Sequence, residues 1–166
     1  EATQHLGNGV RDPGLTGIAA GDPRAWAAAR NWARYGHRQV FIQDANSLVV
    51  DPNDLMAILG HLKARFPEAT RITSYARSST IANLDTGALS DLRAAGLSRI
   101  HIGMESGSNE VLKMVRKGAT QRLHIRAGLK VKAAGMELSE YYMPGLGGRL
   151  LLEANAVETA AALNEI

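Results

Sequence analysis

Two phrases of the sequence combine groups that could bind a small molecule. HIGMESGS (101–108) ends an apolar run in Glu105, and MPGLGG (143–148) carries three glycines. A carboxylate at a strand end can accept hydrogen bonds from a sugar diol, and nearby backbone amides can hold an anion. Glycines allow a flat ligand to approach the backbone. The structural alternative for Glu105 is a carboxylate that those amides satisfy, and the alternative for the glycines is a tight turn.

The composition argues against several other kinds of site. The 166 residues contain no cysteine, which excludes disulfides, thiolate nucleophiles and cysteine-ligated metal sites built from this chain alone. The five histidines are scattered, without the spacing of a metal site. The 19 Lys and Arg are mixed with 16 Asp and Glu, so nothing indicates a groove for nucleic acid. We therefore expect no catalytic thiol, no metal ligand and no nucleic-acid partner.

Alternating strand and helix signals position the two phrases. Apolar and β-branched runs predict strands at 38–44, 71–76, 98–105 and about 136–142. Capping and stop signals, such as Asp-Pro at 22–23 and 51–52, predict the helices between them. The predicted helices cover 23–35, 52–66, 86–95, 109–117, 121–134 and 151–164. This βα alternation predicts an α/β fold of parallel strands, either an open doubly wound sheet or an arc of a barrel.

The chain divides into a short lead-in and one domain. Residues 1–21 hold five glycines and no periodicity, which predicts a poorly ordered lead-in, and 22–166 form the domain. Apolar runs are far shorter than the roughly 18 residues that span a bilayer, and no leader pattern is visible. We expect a cytoplasmic protein without a membrane partner.

In parallel α/β folds, binding groups gather beyond the carboxyl ends of the strands. All four predicted strands end in hydrogen-bonding residues, and His101 alternates onto the same side as Glu105. Each residue also has a structural alternative: Asp44 could hold a turn, and Ser108 could cap the helix that follows it. The groups at the strand ends are, in chain order, Gln43, Asp44, Asn46 and Ser47; Ser74, Tyr75, Arg77 and Ser78; Glu105, Ser106 and Ser108; and Glu140, Tyr141, Tyr142, Pro144 and Gly145.

Six phrases in chain order resemble the core of a radical S-adenosylmethionine (radical SAM) protein, similar to the core found in elongator-type and methylthiotransferase-type enzymes. The resemblance covers roughly residues 22–166. The phrases are FIQDANSLV (41–49), ITSYARSSTI (72–81), LRAAGLSRIHIGMESGS (92–108), KGAT (117–120), VKAAGMELSEYYMPGLGG (131–148) and AVETAAALNEI (156–166).

The resemblance implies a partial (β/α) barrel and a cofactor. In the family, a CxxxCxxC loop after the first of six strands holds a 4Fe–4S cluster, and S-adenosylmethionine bound to it is cleaved reductively to a 5′-deoxyadenosyl radical. The present phrases correspond to strands two to five, so about four βα units are present and both edges are truncated. Because the cysteines are absent, we expect this chain to assemble no cluster.

The resemblance also assigns residues to S-adenosylmethionine. The first strand end would lie by the methionine amino group and the second by its carboxylate. The third would bind the ribose hydroxyls, and the glycine–proline phrase would flank adenine. The implied cofactor contacts are, in that order, Gln43, Asp44 and Asn46; Ser74 and Arg77; Glu105 and Ser106; and Pro144 and Gly145.

Three hypotheses follow. The chain is a core fragment of a radical SAM enzyme completed by missing residues, a non-catalytic descendant that binds a nucleoside or a protein, or an unrelated α/β enzyme. The substrate is not indicated. Because a truncated parallel sheet leaves two edges unpaired, we also expect self-association or a partner that covers those edges.

Overall fold

The computed structural model describes residues 22–166, and the lead-in predicted over 1–21 lies outside the described residues. A parallel sheet of four strands forms the centre of the molecule, in the spatial order β1-β2-β3-β4, which is also the chain order. The predicted parallel α/β architecture is therefore confirmed. The strands are β1 (Gln39–Ile42), β2 (Arg71–Ala76), β3 (Leu97–Glu105) and β4 (Glu137–Tyr142).

Helices connect the strands and cover one face of the sheet. Asp22 and Asp51 cap α1 and α2 as predicted, since their carboxylates accept hydrogen bonds from backbone N–H groups of the first turn. A short 3-10 turn, Ser47–Val49, follows β1. The helices are α1 (Pro23–Arg34), α2 (Pro52–Arg65), α3 (Ser78–Asn83), α4 (Thr86–Ala95), α5 (Asn109–Met114), α6 (Gln121–Ala133) and α7 (Leu152–Glu165).

The short helices differ from the predictions. Helix α3 was not predicted, because its six residues are too few to show a helical pattern. Helix α5 ends at Met114, before the predicted end at 117. Ser108 stands at the N-cap of α5, but its hydroxyl is buried without a hydrogen-bond partner. The side-chain cap predicted there is wrong, because the Ser108 hydroxyl accepts no hydrogen bond from the first turn of α5. The backbone N–H of Ser108 donates to Ser106 Oγ within the buried loop.

The core lies between the sheet and the helices. Alternate strand residues such as Ile72, Ile100 and Ile102 are fully buried on this face, and they pack in one cluster with helical leucines such as Leu59 and Leu89. This alternation leaves the residues between them on the opposite, concave face. Within residues 22–166, no helix is long and apolar enough to cross a membrane.

The concave face carries charged residues near the amino ends of the strands and rings further along. Arg71 and Arg99 share the carboxylate of Glu137, with an ion pair from Arg71 and a distance of 4.0 Å from the Arg99 Nε. Tyr75 follows Arg71 in β2 at an even spacing, so the two side chains lie on the same face. Phe41 lies on this face as well, because it pairs with Thr73, which also follows Arg71 at an even spacing. This face leads to the carboxyl ends of the strands, where the candidate site lies.

Candidate functional site

A cavity of about 790 Å³ opens at the carboxyl ends of β2, β3 and β4. Its volume lies within the roughly 300–1,000 Å³ of small-molecule sites. Residues of β2, β3 and β4 line it, together with Ala45, the start of α3 and the loop that follows α5. The charged and ring-bearing side chains that line it are Tyr75, Arg77, His101, Glu105, Arg116, Lys117 and Tyr141.

Glu105 ends β3 in a strained backbone conformation. Its φ is +64°, in the left-handed region that costs a residue with a side chain roughly 1–2 kcal/mol. The pairing of β3 with β4 shifts between Gly103 and Glu105, and the Glu105 carbonyl accepts a hydrogen bond of 2.9 Å from the Met143 N–H. Such strain is concentrated at functional sites. The irregularity brings the Glu105 carboxylate to the cavity.

Lys117 pairs with Glu105 across the cavity wall. The Lys117 Nζ donates to Glu105 Oε1 at 3.2 Å, and both side chains are less than one third exposed. The helix predicted over 109–117 would put Lys117 in its last turn, where a positive charge is favourable. That interpretation is wrong because α5 has already ended at Met114, and the following loop, with Arg116 at φ +54°, turns Lys117 to the cavity.

Arg77 enters the cavity from the other side, between β2 and α3. Its backbone N–H donates to Asn46 Oδ1 at 2.9 Å, and Asn46 Nδ2 donates to Thr80 Oγ1 at 3.0 Å. Asn46 therefore ties the loop after β1 to the start of α3. This bridge fixes the backbone from which the Arg77 guanidinium extends.

Four rings, one from each strand, form a layer on the concave face, and three of them line the cavity. This aromatic layer consists of Phe41, Tyr75, His101 and Tyr141. The His101 ring stacks between those of Phe41 and Tyr141, with centroid distances of 5.7 and 5.5 Å. The hydroxyls of Tyr75 and Tyr141 lie 3.5 Å apart. The layer presents ring surfaces and two hydroxyls to the cavity.

The surroundings of the layer shift two of its pKa values. Burial lowers the pKa of His101, and the nearby positive charges of Arg99 and Arg71 lower it further. The hydrogen bond with Tyr141 raises the pKa of Tyr75, with a smaller contribution from desolvation. Both rings are therefore neutral at pH 7.

Helix α7 holds the two glycine-rich phrases in place. The Gly107 N–H donates to Thr159 Oγ1 at 2.7 Å, and a Cβ at Gly107 would lie only 2.5 Å from Thr159 Cα. Asn155 Nδ2 donates to the Met143 carbonyl at 3.1 Å. Gly107 thus allows direct contact with α7, and Gly145, at φ +75°, turns the chain after β4. Both phrases use glycine for packing and turning.

The structure brings two of the nine predicted cofactor residues, Arg77 and Glu105, to the cavity lining. Three others are engaged within the protein. Ser74 is almost fully buried, and its hydroxyl donates to the Ile42 carbonyl at 3.4 Å. Ser106 is fully buried and accepts from the Ser108 N–H, and Asn46 forms the bridge described above.

The remaining four predicted residues are exposed at the carboxyl ends of β1 and β4. Asp44 Oδ1 accepts from the Ala45 N–H at 2.6 Å, and Ala45 itself lines the cavity next to Gln43 and Asp44 along the chain. Pro144 and Gly145 form an exposed turn beyond Tyr142. These four residues are close along the chain to residues that line the cavity, but they do not line it themselves. Their contact with a cofactor therefore stays a prediction.

Comparison with known proteins identifies the family. A family model described as the radical SAM superfamily matches residues 22–153. The chain belongs to the radical SAM superfamily, as the resemblance predicted. No curated protein matches it.

A solved structure shows the same fold. The chain is similar to the cobalamin-dependent S-adenosylmethionine radical enzyme OxsB, with a TM-score of 0.57 and 24% sequence identity. The alignment covers 76% of this chain and 19% of OxsB. The chain therefore matches a small part of that enzyme's length, and its four parallel strands form a partial (β/α) barrel of the radical SAM type.

The family implies two groups, and the residues fit only one of them. A 4Fe–4S cluster needs cysteine thiolates, and the sequence has none. Among residues 22–166, no group of three or more His, Cys, Asp or Glu side chains could hold a metal ion. These residues do not fit the cluster. S-adenosylmethionine fits better, because one cavity contains a carboxylate and a guanidinium for its hydroxyl and carboxylate groups.

Proposed function

We propose that residues 22–166 form the S-adenosylmethionine-binding part of a radical SAM enzyme core. The proposal depends on the placement of Glu105 and Arg77 in one cavity at the carboxyl ends of parallel strands. Family membership supports the cofactor, and in the complete protein it implies reductive cleavage of S-adenosylmethionine. The cluster ligands would then lie outside this sequence. The match to only 19% of OxsB agrees with a core fragment.

In this proposal, each charged group of the cavity has a separate role. The Glu105 carboxylate accepts hydrogen bonds from the ribose hydroxyls, and the ion pair with Lys117 holds the carboxylate in position. Arg77 binds the carboxylate of the methionine part through its planar fork of N–H donors. The residues outside the cavity lining form the support: Asn46 holds Arg77, and Ser106 holds the loop after Glu105.

Calorimetric titration with S-adenosylhomocysteine tests the proposal. This compound keeps the ribose, adenine and amino-acid groups, and its binding does not depend on a cluster. Glu105→Gln should weaken binding about 10- to 100-fold, because a hydrogen bond to a charged group contributes about 1.5–3 kcal/mol. Glu110→Gln, at an exposed position of α5, is the matched control and should bind like wild type. Absence of binding, or equal binding by the Glu105 variant, contradicts the proposal.

A second candidate function is a non-catalytic domain that binds a nucleoside or a protein, favoured by the absence of cysteine from the sequence. The coding sequence that precedes Glu1 discriminates between the two. A CxxxCxxC motif followed by this chain supports the enzyme, whereas a start codon without cysteines supports the binding domain. Anaerobic treatment of the present chain with iron and sulfide should give no iron–sulfur absorbance in either case.

We also propose that the sheet edges are covered by a second copy or by another protein segment. Over the described part of the chain, β1 and β4 each pair with one strand only. Unpaired edges favour association. Light scattering over a concentration series should show a rising mass if a second copy covers them, and a constant monomer mass would contradict the second copy. Location in the cytoplasm stays a prediction.

A further inference from the structure

We infer that the aromatic layer is a substrate subsite that binds a planar conjugated group carrying a negative charge. This inference rests on the proposed function, because it places the substrate group beside the S-adenosylmethionine held by Glu105 and Arg77. It assigns a different ligand to different residues of the same cavity. Its failure can therefore be separated from the failure of cofactor binding.

The first argument is the exposure of the rings. Large aromatic side chains are normally used to build a core, yet here Phe41 is 37% and Tyr141 is 45% exposed. The four rings come from four different strands and meet on the concave face, and those of Tyr75, His101 and Tyr141 line the cavity. A contiguous group of partly exposed rings on a concave face is typical of a ligand-binding surface.

The second argument is the geometry of the layer. The His101 ring is within 21° of parallel to Phe41 and within 24° of parallel to Tyr141, so three rings already stack in a row. A planar conjugated ligand can extend this row by offset stacking, which a saturated ring cannot do. The adjacent hydroxyls of Tyr75 and Tyr141 can donate hydrogen bonds at the ligand edge.

The third argument is the charge below the layer. Arg71 and Arg99 share the single carboxylate of Glu137, which leaves one positive charge in excess on the concave face. His101 adds no charge, since burial and these arginines keep its pKa low. The rings therefore lie next to a region of net positive charge.

The mouth of the cavity is also cationic. Arg77, Arg116 and Lys117 line it, and Glu105 is the acidic side chain in the same lining. Even after Glu105 pairs with Lys117 and Arg77 binds the cofactor carboxylate, Arg116 still faces the cavity. Positive charge on both sides of the rings favours a substrate group that carries a negative charge. The ring surface and this charge together define the ligand class.

Three small probes test the class of ligand by NMR titration of the whole chain. The probes are 2-naphthoate, its fully saturated analogue decahydronaphthalene-2-carboxylate, and the uncharged 2-naphthalenemethanol. We expect 2-naphthoate to shift the ring signals of His101 and Tyr141. It should bind about fivefold more tightly than each of the other two, which lack the conjugated ring or the charge. Equal affinity for all three probes would overturn the inference.

Variants of the layer test its location. Tyr141→Leu and Phe41→Leu should each weaken 2-naphthoate binding about fivefold, because each removes a ring from the stack. Tyr35→Leu replaces a tyrosine that is 74% exposed at the end of α1 and should have no effect. Dispersed amide spectra of the variants would show that they are folded. Unchanged naphthoate binding by both folded layer variants would overturn the inference.

S-adenosylhomocysteine separates the two proposals. Tyr141→Leu should leave its affinity within about twofold of wild type, whereas Glu105→Gln should not. If Tyr141→Leu weakens S-adenosylhomocysteine as much as Glu105→Gln does, the layer belongs to the cofactor site and the substrate subsite is refuted. If naphthoate binds the layer but S-adenosylhomocysteine does not bind, the layer remains a ligand site and the proposed function fails.

Discussion

The Nζ of Lys117 lies 3.2 Å from the Oε1 of Glu105, and this ion pair joins the end of β3 to the loop that follows α5. Both residues line the cavity. Glu105 occupies its position at a cost, because its φ of +64° is unfavourable for any residue with a Cβ. Glu105 is therefore held at the cavity at a cost in stability.

Glycine at position 105 should stabilise the protein more than alanine does. We expect Glu105→Gly to have a free energy of unfolding about 1 kcal/mol greater than that of Glu105→Ala, since glycine adopts positive φ without strain. Urea unfolding measures the difference. The same pair of variants at Glu110 in α5 is the control, where alanine should be the more stable by about 1 kcal/mol. A more stable alanine variant at both positions would contradict the assignment of strain.

Alanine at position 107 should destabilise the protein, because its Cβ would lie 2.5 Å from Thr159 Cα in α7. Overpacking against backbone costs about 1–3 kcal/mol, and it would also displace the loop that follows Glu105. Gly60→Ala provides the contrast, since no atom lies within 4 Å of a Cβ built there. Within α2 that change should add about 0.5–1 kcal/mol of stability. Thermal unfolding should shift in opposite directions for the two variants.

His124 should make the protein sensitive to acid. It is fully buried, neither ring nitrogen has a hydrogen-bond partner, and burial lowers its pKa to about 4. Because this folded-state pKa lies below the value in the unfolded chain, the unfolded state binds the proton first as the pH falls. Stability is therefore fully present above about pH 6.5 and is lost between there and pH 4, by about 3 kcal/mol.

The variant His124→Phe removes this titration. The difference in unfolding free energy between wild type and His124→Phe should change by about 3 kcal/mol between pH 7 and pH 4. Exposed His61 supplies the control, and His61→Gln should track wild type at both pH values. A constant difference for the His124 variant would show that the ring is solvated.

Glu140 should have the opposite pH dependence. Burial raises its pKa to about 8, and neither carboxylate oxygen has a partner. A folded-state pKa above the unfolded value gives stability that is present below about pH 4.5 and lost as the pH rises through 8. Glu140→Gln should therefore reduce the loss of stability between pH 5 and pH 8, measured by urea unfolding. Glu153→Gln, at an exposed site of α7, should not.

The sequence predicts the elements that have strong local signals. The Asp-Pro pairs that begin α1 and α2 and the β-branched run of β3 identify those elements within one or two residues. Helix α3 lacks such a signal. Its start is held by the hydrogen bond from the Arg77 N–H to Asn46, which lies on a different loop. A contact between residues 31 positions apart cannot be read from local pattern.

The candidate site was predicted only in part for a similar reason. Glu105 and Arg77 follow from the rule that groups at carboxyl ends of parallel strands converge. Tyr75 and Tyr141 were visible as strand-end residues, but their meeting with His101 depends on register. The register shifts once between β2 and β3 and again between β3 and β4. These irregularities arise from packing, so the aromatic layer and the role of Lys117 appear only in the folded protein.

The agreement between strand order and chain order has a consequence for synthesis. Each strand finds its neighbour in the segment made just before it, so a chain that leaves the ribosome can add one βα unit at a time to a sheet that already exists. The cavity is completed only when β4 arrives, because Tyr141 is its last ring. Nascent chains that stop before that strand would carry Glu105 without a finished binding site.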